Sequence, residues 1–224
     1  MEIMKPAASS SNRSFPELRD FLEKEILGVD FPVKHLIEQA RNKGHISKGK
    51  PGRGGAKVTS RDVAILIAGA LSGDTPQTAT DNMALIEDLK SGDTSFAAYF
   101  PTFGDSSDDD SGDKWWEGNF LQALTRLIDV CREDRIANLD DLTITVRRSP
   151  NFFARIAWED TPWDRDVTVG YGLPETDERA QVSKGRRMVE VSLNGDFLRV
   201  AANWLEDRSP YCEVGPYRDL GSAL

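Results

Sequence analysis

Between Gln39 and Arg61 the chain places Arg41, Lys43, Lys48, Lys50, Arg53, Lys57 and Arg61 and no acid, although the protein as a whole carries a formal charge of -9. Setting those seven charges aside leaves -16 on the remainder, so the basic surface is local. Clustered guanidinium and ammonium groups neutralise phosphates, and an acidic remainder repels a polyanion everywhere except where the cluster faces it. Pro51, Gly52, Gly54 and Gly55 lie inside the cluster and let its tip come close to a backbone. A solvated loop with no partner would also tolerate such residues. The charges, however, run on from a helix into the loop, and acids are missing for 23 residues. Recognition of a nucleic-acid backbone is therefore the chemistry this stretch favours.

Other chemistries are poorly supplied. A phosphate-binding GxxxxGK[ST] loop follows a buried strand, whereas here Gly49 to Gly54 is followed by Gly55-Ala56, Lys57 precedes Val58, and a helix precedes the loop. Gly170-Tyr171-Gly172 is only a fragment of a dinucleotide fingerprint. For the acidic run Asp105 to Asp113, setting Gly112 at the sixth position of a calcium loop puts Ser107 first and Gly118 last, where carboxylates are needed. His35 and His45 are the sole histidines, and neither GxSxG nor HExxH occurs. Glu159-Asp160 and Asp164-Asp166, beside Trp158 and Trp163, could be imagined as a glycosidase-like pair, but acidic surface loops are far commoner. Cys131 and Cys212 are 81 positions apart and belong to no CxxC or Cys/His cluster, so neither a zinc site nor a disulfide framework is indicated. The expectation is a protein that is not an enzyme, with no cofactor, metal or catalytic residue.

Helices must position the basic stretch. Ser14, Pro16 and Glu17 open a helix in which Phe15, Leu18, Phe21, Leu22, Ile26 and Leu27 recur at helical spacing, ending near Gly28. Pro32 opens a second, with Val33, Leu36, Ile37 and Ala40 on one face and Lys34, His35, Glu38, Gln39, Arg41 and Asn42 turned away. Gly44 stops it. His45-Ile46-Ser47 and the residues from Val58 can form short strands on either side of the loop Lys48 to Lys57. Thr59-Ser60-Arg61-Asp62 fits a capping box for an apolar helix that runs to Leu71, and a further capped helix runs from Thr75 or Thr80 to Lys90.

Two short helices joined by a glycine turn, then strand, basic glycine-rich loop and strand, resemble the winged helix-turn-helix family over roughly residues 14 to 72. The resemblance implies that the second helix enters the major groove of double-stranded DNA. Lys34, His35, Gln39 and Asn42 are then the base-edge candidates, and Arg41, Lys43, Lys48, Lys50, Arg53 and Lys57 the phosphate or minor-groove contacts. This chain departs from the family in that residues 1 to 13 are too polar for the usual leading helix, so a later helix must complete the core. Gly44, the basic tip and the capped apolar helix are also similar to uncharacterised bacteriophage and prophage proteins, which implies a phage or mobile-element setting.

The 224 residues at 39% hydrophobic suffice for one large domain or two small ones. The expected division is a flexible arm (1–13), a winged-helix-like DNA-binding domain (14–90), a linker holding the acidic run (91–114), and an α+β association or partner domain (115–224). In that last part a helix runs to about Glu133. Leu142–Val146, Phe152–Trp158, Val167–Val169 and Met188–Val191 read as strands of a small antiparallel sheet. Asn194-Gly195 signals a hairpin, but Phe197, Leu198, Ala201, Trp204 and Leu205 share a helical face, and a helix capped by Asn194 or Asp196 is preferred. Two helices are expected to cover one face of the sheet. Trp115, Trp116, Trp158, Trp163 and Trp204 are expected to build this half's core or a partner surface. No apolar run approaches the ~18 to 20 residues of a membrane span, so a cytoplasmic protein is expected. These expectations add up to a sequence-specific, homodimeric transcription regulator whose acidic C-terminal domain has room for a protein partner. A DNA-packaging recognition subunit, or an inhibitor that binds a host protein, stands as the alternative.

Overall fold

A computed structural model describes residues 11–48, 56–91, 118–133, 139, 141–149, 152–158, 167–173 and 189–209. The basic loop tip, the aromatic stretch 95–103, the acidic run, Trp115-Trp116, the Glu159–Asp166 carboxylates, Cys212 and the tail beyond 209 lie outside them. The described residues form an α+β structure of six α-helices and a five-stranded antiparallel sheet.

Helix α1 (Phe15–Phe21) begins with a capping box, in which Glu17 accepts hydrogen bonds from the Ser14 amide (2.7 Å) and hydroxyl (2.6 Å), and it continues as a π-helical turn, Leu22–Ile26. Gly28, at φ +78°, turns the chain toward α2 (Val33–Lys43). On α2 the stripe Val33, Leu36, Ile37 and Ala40 is buried, and Gly44 ends the helix in the left-handed conformation at φ +85°. Helix α3 (Ser60–Ser72) is apolar nearly all round, and every residue on it but Arg61 is buried. Helix α4 (Pro76–Asp88), capped by Thr75, packs against α2 and α3 and buries Ala79, Met83 and Ile86.

The sheet runs in the order β1-β4-β3-β2-β5, from β1 (Lys90–Ser91), β2 (Leu142–Ser149), β3 (Phe153–Trp158), β4 (Val167–Gly172) and β5 (Val189–Asn194). Register sets Ile144 opposite both Ile156 and Leu193, with Ile156 opposite Val169; Val146 likewise aligns with Ala154 and Val191, and Ala154 with Tyr171. Strand alternation therefore gathers most of the apolar residues on one face and leaves Thr143, Thr145, Arg147, Arg155 and Ser192, with Phe153, on the other. Helix α5 (Phe120–Arg132) sets Phe120 against Tyr171, with ring centroids 5.4 Å apart, and α6 (Asp196–Leu205) packs on α5. Helix α6 is the helical branch of the Asn194-Gly195 fork. Its N-cap position is taken by Gly195, not Asn194 or Asp196, and a Cβ at Gly195 would collide with the Leu139 carbonyl oxygen and Leu142 Cβ.

Four expectations need correction. Helix α3, from the N-terminal half, packs on β2 and β5, so a helix from outside the expected C-terminal domain helps to cover the sheet. The chain does not divide at 91–114 into separately packed units: β1 leaves α4 and pairs with β4, and α1 through α6 contribute to one buried core. Helix α3 is what much of the second half packs upon, through α5, α6, β2 and β5. Residues 11–13 are not a free arm. Ser11 is buried and donates to the Val58 carbonyl from its amide (3.2 Å) and hydroxyl (2.8 Å), and Arg13 donates to the Trp204 carbonyl at 3.0 Å. Finally, no strand forms at His45–Ser47 or at Val58. The Val58 amide instead donates to the Arg13 carbonyl at 3.1 Å, so the wing's expected partner strand is replaced by residues 11–13.

Candidate nucleic-acid interface

The burial of Val33, Leu36, Ile37 and Ala40 fixes which side of α2 meets solvent. Lys34, His35, Glu38 and Asn42 are exposed. His35 Nδ1 lies 3.5 Å from Glu38, one turn along the same face. Asn42 keeps its side chain outward while its carbonyl accepts a hydrogen bond from Lys48 Nζ at 3.3 Å. Between α1 and α2 runs an open groove of ≈ 190 Å³, floored by Phe15, Pro16 and Ile37 and rimmed by Lys34, Glu38 and Arg41. The Arg41 guanidinium sits 4.7 Å above the Phe15 ring, a stacked placement that leaves only part of it open to solvent.

The other candidates sort by their neighbours. Gln39 is half-buried and accepts from the Thr80 hydroxyl at 3.4 Å, so it faces α4 and not the outer surface. Lys43 pairs with Asp81 of α4, and that hydrogen bond, with a second from Gln77, holds the Asp81 carboxyl below the usual aspartate range. Lys57 is exposed and donates to Asn12 Oδ1 at 3.0 Å. Lys50 and Arg53 lie outside the described residues. Among those described, no carboxylate comes within ion-pair distance of Lys34, Lys48 or Lys57, whereas Arg13, Arg19, Lys43, Arg132 and Arg148 each have one. Arg61, at the end of the basic stretch, is also engaged: it pairs with Glu87 at 2.5 Å and donates to the His45 carbonyl at 2.8 Å.

Two residues matter here in ways that sequence reasoning did not single out. Asp62 is buried, and beyond its capping box with Thr59 it accepts from Ser47 on the far side of the basic loop. No local pattern signals that contact, because the partners are 15 positions apart. Val29, at 84% exposure, is a bare apolar side chain in the turn that leads into α2. Its place between Gly28 and Asp30 was the available signal.

Two features bear on other functions. Among the described residues no group of three His, Cys, Asp or Glu side chains is arranged to hold a metal ion. No helix among them is long and apolar enough to cross a membrane. Comparison with protein-family models, curated proteins and solved structures finds no match to this chain.

Proposed function

We propose that this protein is a sequence-specific DNA-binding regulator of transcription, working in the cytoplasm as a homodimer, with α2 as the element that enters the major groove. The observation that carries the reading is the contrast in charge pairing. Lys34, Lys48 and Lys57 are exposed and have no carboxylate partner among the described residues, while the cations on the α4 side are neutralised by Asp81 and Glu87. Cations with no carboxylate partner among the described residues, Lys34 on α2 and Lys48 bonded to the Asn42 carbonyl of its last turn among them, suit a phosphate backbone flanking a row of base edges. His35 and Asn42 are the readers this arrangement favours, and Glu38 suits a cytosine amino group. Gln39 and Lys43 drop to supporting parts, since α4 already engages them. A single helix in one groove gives modest specificity, which two-fold pairing doubles.

The test is binding of the purified protein to a mixed pool of genomic fragments over a salt series, beside the Lys34→Ala, Lys48→Ala, Lys57→Ala triple variant. Selective binding that weakens steeply with salt and is lost in the variant is the expected result. Absence of binding by the wild type at low salt overturns the proposal and leaves the basic surface to a protein partner.

A further inference from the structure

Asp62 lies in the first turn of α3, 1% exposed, and its carboxylate takes hydrogen bonds from both ends of the basic loop. On the Ser47 side, Oδ1 accepts from the amide at 3.1 Å and from the hydroxyl at 3.3 Å. On the Thr59 side, Oδ2 accepts from the amide at 2.9 Å and from the hydroxyl at 2.8 Å. One buried carboxylate thus joins Ser47, which adjoins Lys48, to Thr59, which stands two residues after Lys57. The capping box alone accounts for Thr59. It does not account for Ser47, whose amide and hydroxyl turn inward although the residue is exposed. The Thr59 end is held a second time by residues 11–13, through the Val58 hydrogen bonds to Ser11 and Arg13 and the Lys57 bond to Asn12.

We infer that Asp62 is a positioning residue for DNA: it clamps the two stems of the basic loop so that Lys48 and Lys57 are held ready against the phosphate backbone, without contacting DNA itself. The inference rests on the DNA-binding reading above. Its physical basis is preorganisation. Two lysines on untied stems must be ordered when DNA binds, and a charge-assisted four-bond clamp removes that cost beforehand. Asparagine at this position keeps one acceptor oxygen and turns an amide donor toward the other stem, so one side of the clamp opens with little change in volume.

The experiment combines amide hydrogen exchange with a double-mutant cycle on the full chain. In Asp62→Asn the amide on the stem that loses its acceptor, Ser47 or Thr59, should exchange faster, about tenfold or more, while amides in the middle of α4 and α5 keep their protection. DNA affinity should fall about tenfold, and the log affinity against log salt slope should flatten toward that of Lys48→Ala/Lys57→Ala, which lacks about two units. Adding Asp62→Asn to that lysine double variant should cost no further affinity. A loss that persists undiminished in the double-variant background overturns the positioning role, because a general weakening of the fold acts whether or not Lys48 and Lys57 are present. Unchanged exchange at Ser47 and Thr59 overturns the clamp. If the wild type binds no DNA, the interface reading falls and the positioning role with it, while the exchange measurement still decides on the clamp. Should Asp62→Asn fold poorly, Ser47→Ala leaves the capping box intact and should move both readouts in the same direction by a smaller amount.

Discussion

At the scale of single residues the molecule is held by a few buried polar groups whose partners come from distant parts of the chain. Arg132, nearly buried on α5, donates to the Ser60 hydroxyl of α3 at 3.2 Å and through Nε to Glu206, just past α6, at 2.7 Å. Asp129 shares the site, 2.5 Å from the Ser60 hydroxyl. Burial pushes the Asp129 carboxyl above the usual aspartate range, although the Ser60 hydrogen bond and the Arg132 charge pull the other way and Glu133 adds to the rise. The folded state therefore holds this proton more tightly than the unfolded chain does. Stabilisation by the protonated form is complete below the unfolded pKa and is lost as pH rises through the folded one. Asp129→Asn mimics that form, so thermal melts at a series of pH values should show wild type matching the variant in acid and falling behind it as pH rises. A wild type that gains on the variant over that range would mean that pairing with Arg132 outweighs burial.

At the scale of elements, the helices with strong local signals were legible and the strands nearly so. Ser14 with Glu17, Thr59 with Asp62, and the glycines Gly28 and Gly44 mark helix ends by chemistry that acts within a few residues, and each stands where those signals place it. Period-two alternation likewise placed β2 to β5 to within a few residues, whereas β1, two residues long, has too little sequence to show a period. The wing was misread for a reason of the opposite kind. His45–Ser47 and Val58 have strand-like composition, but Val58 finds its backbone partner 45 or more residues upstream, in Ser11 and Arg13, which look like a polar tail. At the Asn194-Gly195 fork the helix formed, and its first residues sit in close tertiary contact. Gly195 has an ordinary helical φ of -69°, so what it supplies is space beside Leu139 and Leu142, not conformational freedom. Gly195→Ala should accordingly cost about 1–3 kcal/mol in denaturant unfolding through overpacking against the Leu139 backbone carbonyl. A loss of only a few tenths would show that the Leu139 carbonyl gives way easily. Of the candidate interface, the outward face of α2 was readable from the stripe Val33, Leu36, Ile37 and Ala40. That Gln39 and Lys43 turn to α4 was not, because the positions of Thr80 and Asp81 depend on how α4 packs.

At the scale of the whole molecule, the two halves share one core. Phe21 stacks on Trp204 with centroids 4.7 Å apart, Arg13 lies over the same indole, and β1 joins the sheet through β4. Helix α3, buried on every side, belongs as much to the sheet as to the helices before it. An isolated fragment of residues 14–90 would expose the faces of α3 that meet α5 and β2, and it should fail to give a cooperative unfolding transition, whereas the full chain should unfold in one. A fragment that melts cooperatively would restore the division into two domains. The single core also gives the basic surface a rigid mounting: α2 rests on α4, and the loop stems rest on α3 and on residues 11–13. The central claim is that this surface neutralises DNA phosphates, and the most direct measurement is the slope of log affinity against log salt concentration for wild type and the Lys34→Ala, Lys48→Ala, Lys57→Ala variant. Each lysine on a phosphate adds about 0.9 to the slope, so the variant should lose close to three units. Equal slopes for the two proteins, or no binding by either at low salt, would contradict the account.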